Sequence, residues 1–240
     1  MPYLSRIWMN PLRRQAQTFL RNPHALHAAV LGGLSRQPVS ERVLWRLDTD
    51  QAHRAELLVL TESTPSWEHL VEQAGWSSAD DPQQFVRDYR PLLGRVQYGR
   101  EFRFRLRANP VSSTRRPTKP SGSQQKQLAQ ERARGVRVPH RTAAQQLEWL
   151  MDRVDRWGFG LLDIPDAGPA VRLIDRTQLV FTKTSAVASH RVVLSTATFD
   201  GVVRVTDPEL ARQRLLGGVG SGKAYGCGLI TLAPITGERS

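Results

Sequence analysis

Residues Arg100–Arg107 read REFRFRLR, with Phe102, Phe104 and Leu106 alternating against Arg103, Arg105 and Arg107. A period of two puts the three apolar side chains on one face of a strand and the three guanidinium groups on the other. One face must enter a core, and the other is offered to an anion. Upstream, Tyr3–Trp8 has strand character, and Asn22-Pro23 supplies a capping side chain and a first-turn proline for a helix running through AVLGGL. Arg42–Asp48 and Glu56–Thr61 are strand-length apolar runs, followed by a helical turn at Pro65-Ser66-Trp67-Glu68. With Arg100–Arg107 as the last strand, the order is strand, helix, strand, strand, short helix, strand. That is the split βαβ order of a ferredoxin-like sandwich, which RNA-recognition modules share.

Downstream, residues 111–138 are rich in Pro, Ser, Gln and Arg with few apolar anchors, which predicts a basic interdomain segment that orders on its target. Thr142 caps an expected helix over Ala143–Trp157, whose Leu147, Leu150, Met151 and Val154 fall at helical spacing. Strand-like runs follow at Gly160–Ile164, Val171–Phe181 and Val192–Val205. A helix opens at Asp207-Pro208-Glu209 and ends near Leu216, and a last strand covers Gly228–Leu232. The second half thus repeats the order of the first. The reading is an α+β chain of two tandem ferredoxin-like (RRM-like) domains. The first takes residues 1–110, the basic RNA-binding segment 111–141, and the second domain with its glycine-rich loop 142–240.

The chain has 240 residues, 40% of them hydrophobic and 23% charged, enough to bury cores and too apolar for a disordered polymer. One cysteine, Cys227, excludes an internal disulfide and a multi-thiolate zinc site. No cluster of His, Asp and Glu has ligand spacing, so neither metal nor cofactor is expected. No run approaches the length of a membrane span and the N-terminus lacks a signal-type apolar core, which predicts a cytoplasmic protein with no membrane partner. The net charge is +12, and Arg100–Arg141 alone holds twelve Lys/Arg against two Glu. Such a concentration favours a polyanion.

Near the C-terminus, Gly217-Gly218-Val219-Gly220-Ser221-Gly222-Lys223-Ala224 almost spells a P-loop. Ala224 stands where a magnesium-holding hydroxyl belongs, and the sequence runs on into an apolar strand rather than a helix, so nucleotide hydrolysis is not expected. Two readings remain compatible: a tight helix-to-strand turn that needs glycine, and a phosphate cradle of backbone N–H groups around Gly220 and Gly222 with Lys223 beside them.

The run GVGSGKAYGCGLITLAP, with glycines at 220, 222, 226 and 228, is similar to the glycine-rich signature of repeat-associated RNA-processing proteins. Phe102–Pro110 (FRFRLRANP), Arg137–Pro139 (RVP) before Ala144–Leu150, and Asn22–His27 (NPHALH) fall in the order of CasE-type CRISPR-associated endoribonucleases, the repeat-processing subunits of type I-E Cascade within the RAMP superfamily. The resemblance covers essentially the whole chain. It implies metal-independent cleavage at the base of a CRISPR repeat RNA hairpin, giving mature guide RNA with 2′,3′-cyclic phosphate and 5′-hydroxyl ends. It also implies retention of the product and assembly with other Cascade subunits. It places the catalytic histidine at His27, and at His24 it finds imidazole where some members carry tyrosine.

Metal-free cutting of RNA uses the substrate's 2′-hydroxyl as nucleophile and needs a base, an acid and donors for the phosphorane charge. His24 and His27, three apart, share a helix face beside a positive helix N-terminus; which is acid and which base stays open. Arg105, Arg107, Arg132, Arg134 and Arg137 are the candidate RNA contacts, with Gly220, Gly222 and Lys223 at the loop. Asn109 before Pro110 is either a contact or a turn former. A noncatalytic RNA-hairpin-binding subunit of a ribonucleoprotein is the competing reading. It has the same basic segment and no chemical task for His27.

Overall fold

The computed structural model describes residues 1–78, 80–119, 122–130, 135–184 and 189–235. The first half runs β1 (Tyr3–Met9), α1 (Arg14–Arg21), α2 (Pro23–Leu31), β2 (Leu44–Gln51), β3 (Arg54–Thr61), α3 (Glu68–Ala74), β4 (Gln84–Asp88) and α4 (Arg90–Arg95). Its sheet has the order β2-β3-β1-β4, antiparallel throughout. Strand alternation gives this sheet two apolar faces. Ile7, Met9, Leu57 and Val59 pack under the helices with Phe19, Leu26 and Leu70, while Leu44 and Leu60 belong to the core of the second half.

The second half runs β5 (Glu101–Ala108), β6 (Val111–Thr114), α5 (Gly122–Leu128), β7 (Val136–Pro139), α6 (Ala143–Val154), β8 (Phe159–Leu161), β9 (Asp163–Ile164), β10 (Gly168–Pro169), β11 (Val171–Thr184), β12 (Ser189–Val205), α7 (Pro208–Gly217) and β13 (Ile230–Pro234). The sheet order is β11-β12-β5-β13, with β8 also on β12. Both halves therefore show the ferredoxin-like strand order, as the sequence led us to expect.

One expectation is corrected here. REFRFRLR does not close the first sheet; β5 lies in the middle of the second, bonded to β12 on one side and β13 on the other. A strand with Phe102, Phe104 and Leu106 on one face takes a central, covered position. The strand that closes the first sheet, β4, is short and only half-buried, so its five residues gave no comparable pattern. Residues 111–141 consequently join two elements of the second half, β5 and α6, rather than two domains. They are not featureless, because β6 pairs with β7 from Val111↔Pro139 to Thr114↔Val136.

The caps behave as their side chains dictate. Asn22 Oδ1 accepts from the N–H of His24 (3.0 Å) and Ala25 (3.2 Å), fixing the start of α2. Thr142 and Gln145 form a reciprocal capping box on α6. α2 stops at Leu31, short of the expected GGL, and Gly33 then passes so close to Trp67 that an added Cβ would lie 2.3 Å from its ring. On α6 the buried face is Gln146, Trp149, Leu150 and Val154, whereas Met151 is exposed. Among the described residues no helix is long and apolar enough to cross a membrane.

Candidate functional site

α2 carries His24 and His27 on one face next to its capped N-terminus, where the aligned peptide dipoles give a positive potential. β2 runs behind the helix, and its Trp45 indole Nε1 donates to His27 Nδ1 at 3.2 Å. An indole nitrogen can only donate, so Nδ1 is the acceptor and the neutral ring carries its proton on Nε2. Protonation would remove the lone pair that accepts this bond. Burial lowers the His27 pKa from the ordinary histidine value of 6.5, and the neighbouring His24 lowers it further. The ring is thus held neutral at pH 7, the state from which a base can act. Because folding depresses this pKa, the unfolded chain takes up the proton first on acidification. His27's contribution to stability is present above pH 6.5 and is lost below it.

Replacing Trp45 with Phe removes the donor and the stabilisation of the neutral ring. The expected result is a cleavage pH profile whose acid limb moves to higher pH, because a larger share of His27 is protonated at any given pH. The measurement is the cleavage rate from pH 5 to 8, normalised to each protein's own plateau. A purely structural role for Trp45 would lower the plateau and leave the limb in place.

The glycine-rich loop reaches this helix from the other side. Gly218, Gly220, Gly222, Gly226 and Gly228 all have φ between 67° and 92°, so the tight-turn reading holds. Its centre, a 3₁₀ turn at Lys223–Tyr225, packs against α2 and β2. Gly226 lies against the Trp45 ring, close enough that a Cβ there would be 2.6 Å from it. The loop, Trp45 and His27 are therefore stacked in series. Cys227 is fully buried in the same loop and burial pushes its thiol up to about 12, which suits packing rather than nucleophilic chemistry.

The basic candidates separate into three groups. Arg105 is held by carboxylates: Asp200 at 2.7 Å, Asp50 at 2.5 Å and Asp48 at 3.7 Å. Its pKa is raised, chiefly by the Asp200 hydrogen bond, with Asp50 and Asp48 adding. Since Asp48 and Asp50 belong to β2 and Asp200 to β12, Arg105 ties the two sheets together, with three of its five N–H groups given to carboxylates. Arg46, 2% exposed, acts beside it by donating to Asp48, the Arg105 carbonyl and Thr231. Arg107 differs: it has only a 3.4 Å contact to Thr196, and its Nε is buried without a partner.

The third group lines a cavity of about 590 Å³, where Arg137 of β7, Lys223 and the Gly220–Gly222 backbone meet Arg153, Arg156 and Arg214. Asn109 borders it but is buried, and its side chain donates to Ser221 Oγ at 3.2 Å. It therefore braces the loop across the sheet edge. Arg132 and Arg134 lie outside the described residues. Sequence reading missed Arg153, Arg156 and Arg214, which are scattered over sixty residues on two helix ends and carry no local signal. It also missed Trp45, which reads as core. Among the described residues no three His, Cys, Asp or Glu side chains are grouped to hold a metal ion.

Comparison with known proteins places this geometry in context. A family model described as CRISPR associated protein matches residues 2–234. The CRISPR-associated endoribonuclease Cse3 of Thermus thermophilus is 33% identical over 237 residues, covering 97% of this chain and 100% of that protein. The CRISPR system Cascade subunit CasE of Escherichia coli is 25% identical over 195 residues, 80% of this chain and 89% of that one. Among solved structures, Thermus thermophilus Cse3 bound to an RNA representing a pre-cleavage complex matches with a TM-score of 0.74 at 31% identity, covering 97% of this chain and 99% of that one. From its first strand to its last, the chain belongs to the family of CRISPR-associated proteins.

Proposed function

We propose that this chain is a metal-independent endoribonuclease that cuts the hairpin repeats of CRISPR precursor RNA and remains with the product in a Cascade assembly. The observation that carries the reading is His27, kept neutral by burial and accepting from the Trp45 indole at a capped helix N-terminus, in a chain similar over 97% of its length to a CRISPR-associated endoribonuclease. A structure of that relative bound to RNA and the resemblance to a Cascade subunit support the substrate and the assembly. The cytoplasm, where precursor RNA is made, is the compartment this function requires.

His27 takes the proton of the 2′-hydroxyl, exchanging its Trp45 contact for the substrate as it does so. The 2′-oxygen then forms a bond to phosphorus and the bond to the 5′-oxygen breaks, giving a 2′,3′-cyclic phosphate. His24, one turn back, protonates the departing 5′-oxygen. Burial, with His24 adding, keeps His27 neutral, the state from which it can take a proton. Lys223, in the turn that packs on α2, and Arg107, which lines a cleft with Pro23 and Leu26 of α2, face the phosphate as cations, and Arg137 extends the phosphate track; Arg105 and Asn109 are assigned to the scaffold. The functional division of the chain falls in the 89–100 connection, ahead of β5, with 111–141 serving the second half.

The test is incubation of the purified protein with a labelled repeat hairpin in EDTA, followed by analysis of the product ends. A single cut leaving cyclic phosphate and 5′-hydroxyl ends is expected. Binding without cutting would replace this reading with the noncatalytic RNA-binding subunit.

A further inference from the structure

The cavity beside the glycine-rich loop is lined by Arg137, Arg153, Arg156, Arg214 and Lys223, and no carboxylate lines it. None of the five forms an ion pair among the described residues, in contrast to Arg46, Arg90, Arg105, Arg204 and Arg212. Helix dipoles account for part of this, since Arg153 and Arg214 sit in the last turns of α6 and α7. They do not account for a strand, two helix ends and a loop converging on one concavity. Like charges gathered around a cavity repel one another unless an anion fills it. Lys223 shows the crowding: its pKa is lowered by burial first, and then by Arg42 and Arg214.

Shape and lining narrow the ligand. A concavity of about 590 Å³ takes a nucleotide or two of a single strand. The two indoles that line it, Trp149 and Trp157, are 3% and 7% exposed, so their faces are closed to bases. Trp149 Nε1 is already donated to the Val111 carbonyl and its ring is covered by the Arg153 guanidinium. What the cavity offers is guanidinium and ammonium donors, which suit phosphate. Lys223 belongs to the turn that packs on the His27 helix, so the cavity adjoins the element that carries the histidines.

We infer that this cavity is a phosphate subsite for the single-stranded RNA flanking the hairpin, holding consecutive backbone phosphates without reading their bases. The inference rests on the ribonuclease reading above and adds Arg153, Arg156 and Arg214 to the binding surface.

The experiment compares the full-length wild type with R156Q/R214Q. Three RNAs, blocked against cutting by a 2′-deoxy sugar at the cut position, are used in anisotropy titrations: a blunt hairpin, the same hairpin with a single-stranded flank, and the flank alone. Both arginines are exposed, so the fold should persist, and the melting temperature of the variant checks it. In the wild type the flank is expected to tighten binding roughly tenfold, and the double variant to lose that increment while binding the blunt hairpin as before. The salt slope for flanked RNA should fall by about 1.4 in the variant, as two single-strand phosphate contacts contribute. R156K/R214K should restore much of both. A flank that adds nothing to wild-type affinity, an equal loss on blunt and flanked RNA, or a dependence on flank sequence would overturn the subsite. Failure of the wild type to bind the blunt hairpin would instead overturn the ribonuclease reading, with the flank-alone titration still reporting on the cavity.

Discussion

Replacing His27 with Ala should lower single-turnover cleavage of a repeat hairpin by about 10²–10⁴-fold, the range set by loss of one positioned acid or base, while hairpin affinity changes by only a few-fold. The asymmetry follows from the site. His27 lies on α2, its side chain is held by one bond to Trp45, and the cation-lined cavity is built from other elements. Removing the imidazole therefore deletes the proton acceptor and leaves the phosphate contacts in place. Cutting within tenfold of wild type would remove His27 from the chemistry. A parallel collapse of binding and cutting would make it a structural residue. His24→Ala gives the companion measurement: with His24 as acid, the loss should be recovered in part on a substrate whose 5′-oxygen is replaced by sulfur, a leaving group that needs no proton. His27→Ala should show no such recovery.

The second large effect is expected at a residue that touches no substrate. Gly226→Ala should destabilise the protein by about 2–4 kcal/mol, combining the left-handed backbone penalty with overpacking of a buried ring. At roughly 2–4 °C per kcal/mol for a chain of this size, the melting temperature should fall by about 5–15 °C. Gly226 has φ 77° and an added Cβ would stand 2.6 Å from Trp45, itself 2% exposed and bonded to His27. The indole cannot withdraw without taking its N–H away from Nδ1. Cleavage by the folded fraction should therefore fall as well, with the acid limb moving in the same direction as in Trp45→Phe. Gly99→Ala is the control, because Gly99 has φ 78° and nothing within 4 Å of the added carbon. A similar melting temperature for the two variants would show that backbone strain alone is at work and that the Trp45 contact is slack.

The sequence was a good guide wherever the signal was local. The period-two pattern of REFRFRLR placed a strand, Asn22-Pro23 placed a helix start, Thr142 placed a cap, and the spacing of 24 and 27 put two imidazoles on one face. These features depend on residues a few positions apart, whose geometry the backbone alone sets. Closely spaced glycines likewise marked a turn that only glycine can make.

Other features depend on which element lies beside which, and no local pattern carries that. REFRFRLR looks the same whether it ends one sheet or stands in the middle of the next; only pairing with β12 and β13 settles its place. Three arginines alternating along one strand look equivalent. Yet Arg105 meets Asp48, Asp50 and Asp200 from two other strands and becomes a tie between sheets, while Arg107 meets none. Trp45 reads as core, and it is core, but its nitrogen reaches across to His27. By itself, then, the sequence determined the kinds of elements, their order, the polyanion preference and the histidine pair, because short-range sterics and composition decide those. Tertiary structure alone decided which charges are neutralised, which converge on an open cavity and which ring nitrogen holds the proton, because Coulomb and hydrogen-bond energies depend on distances between atoms that are far apart along the chain.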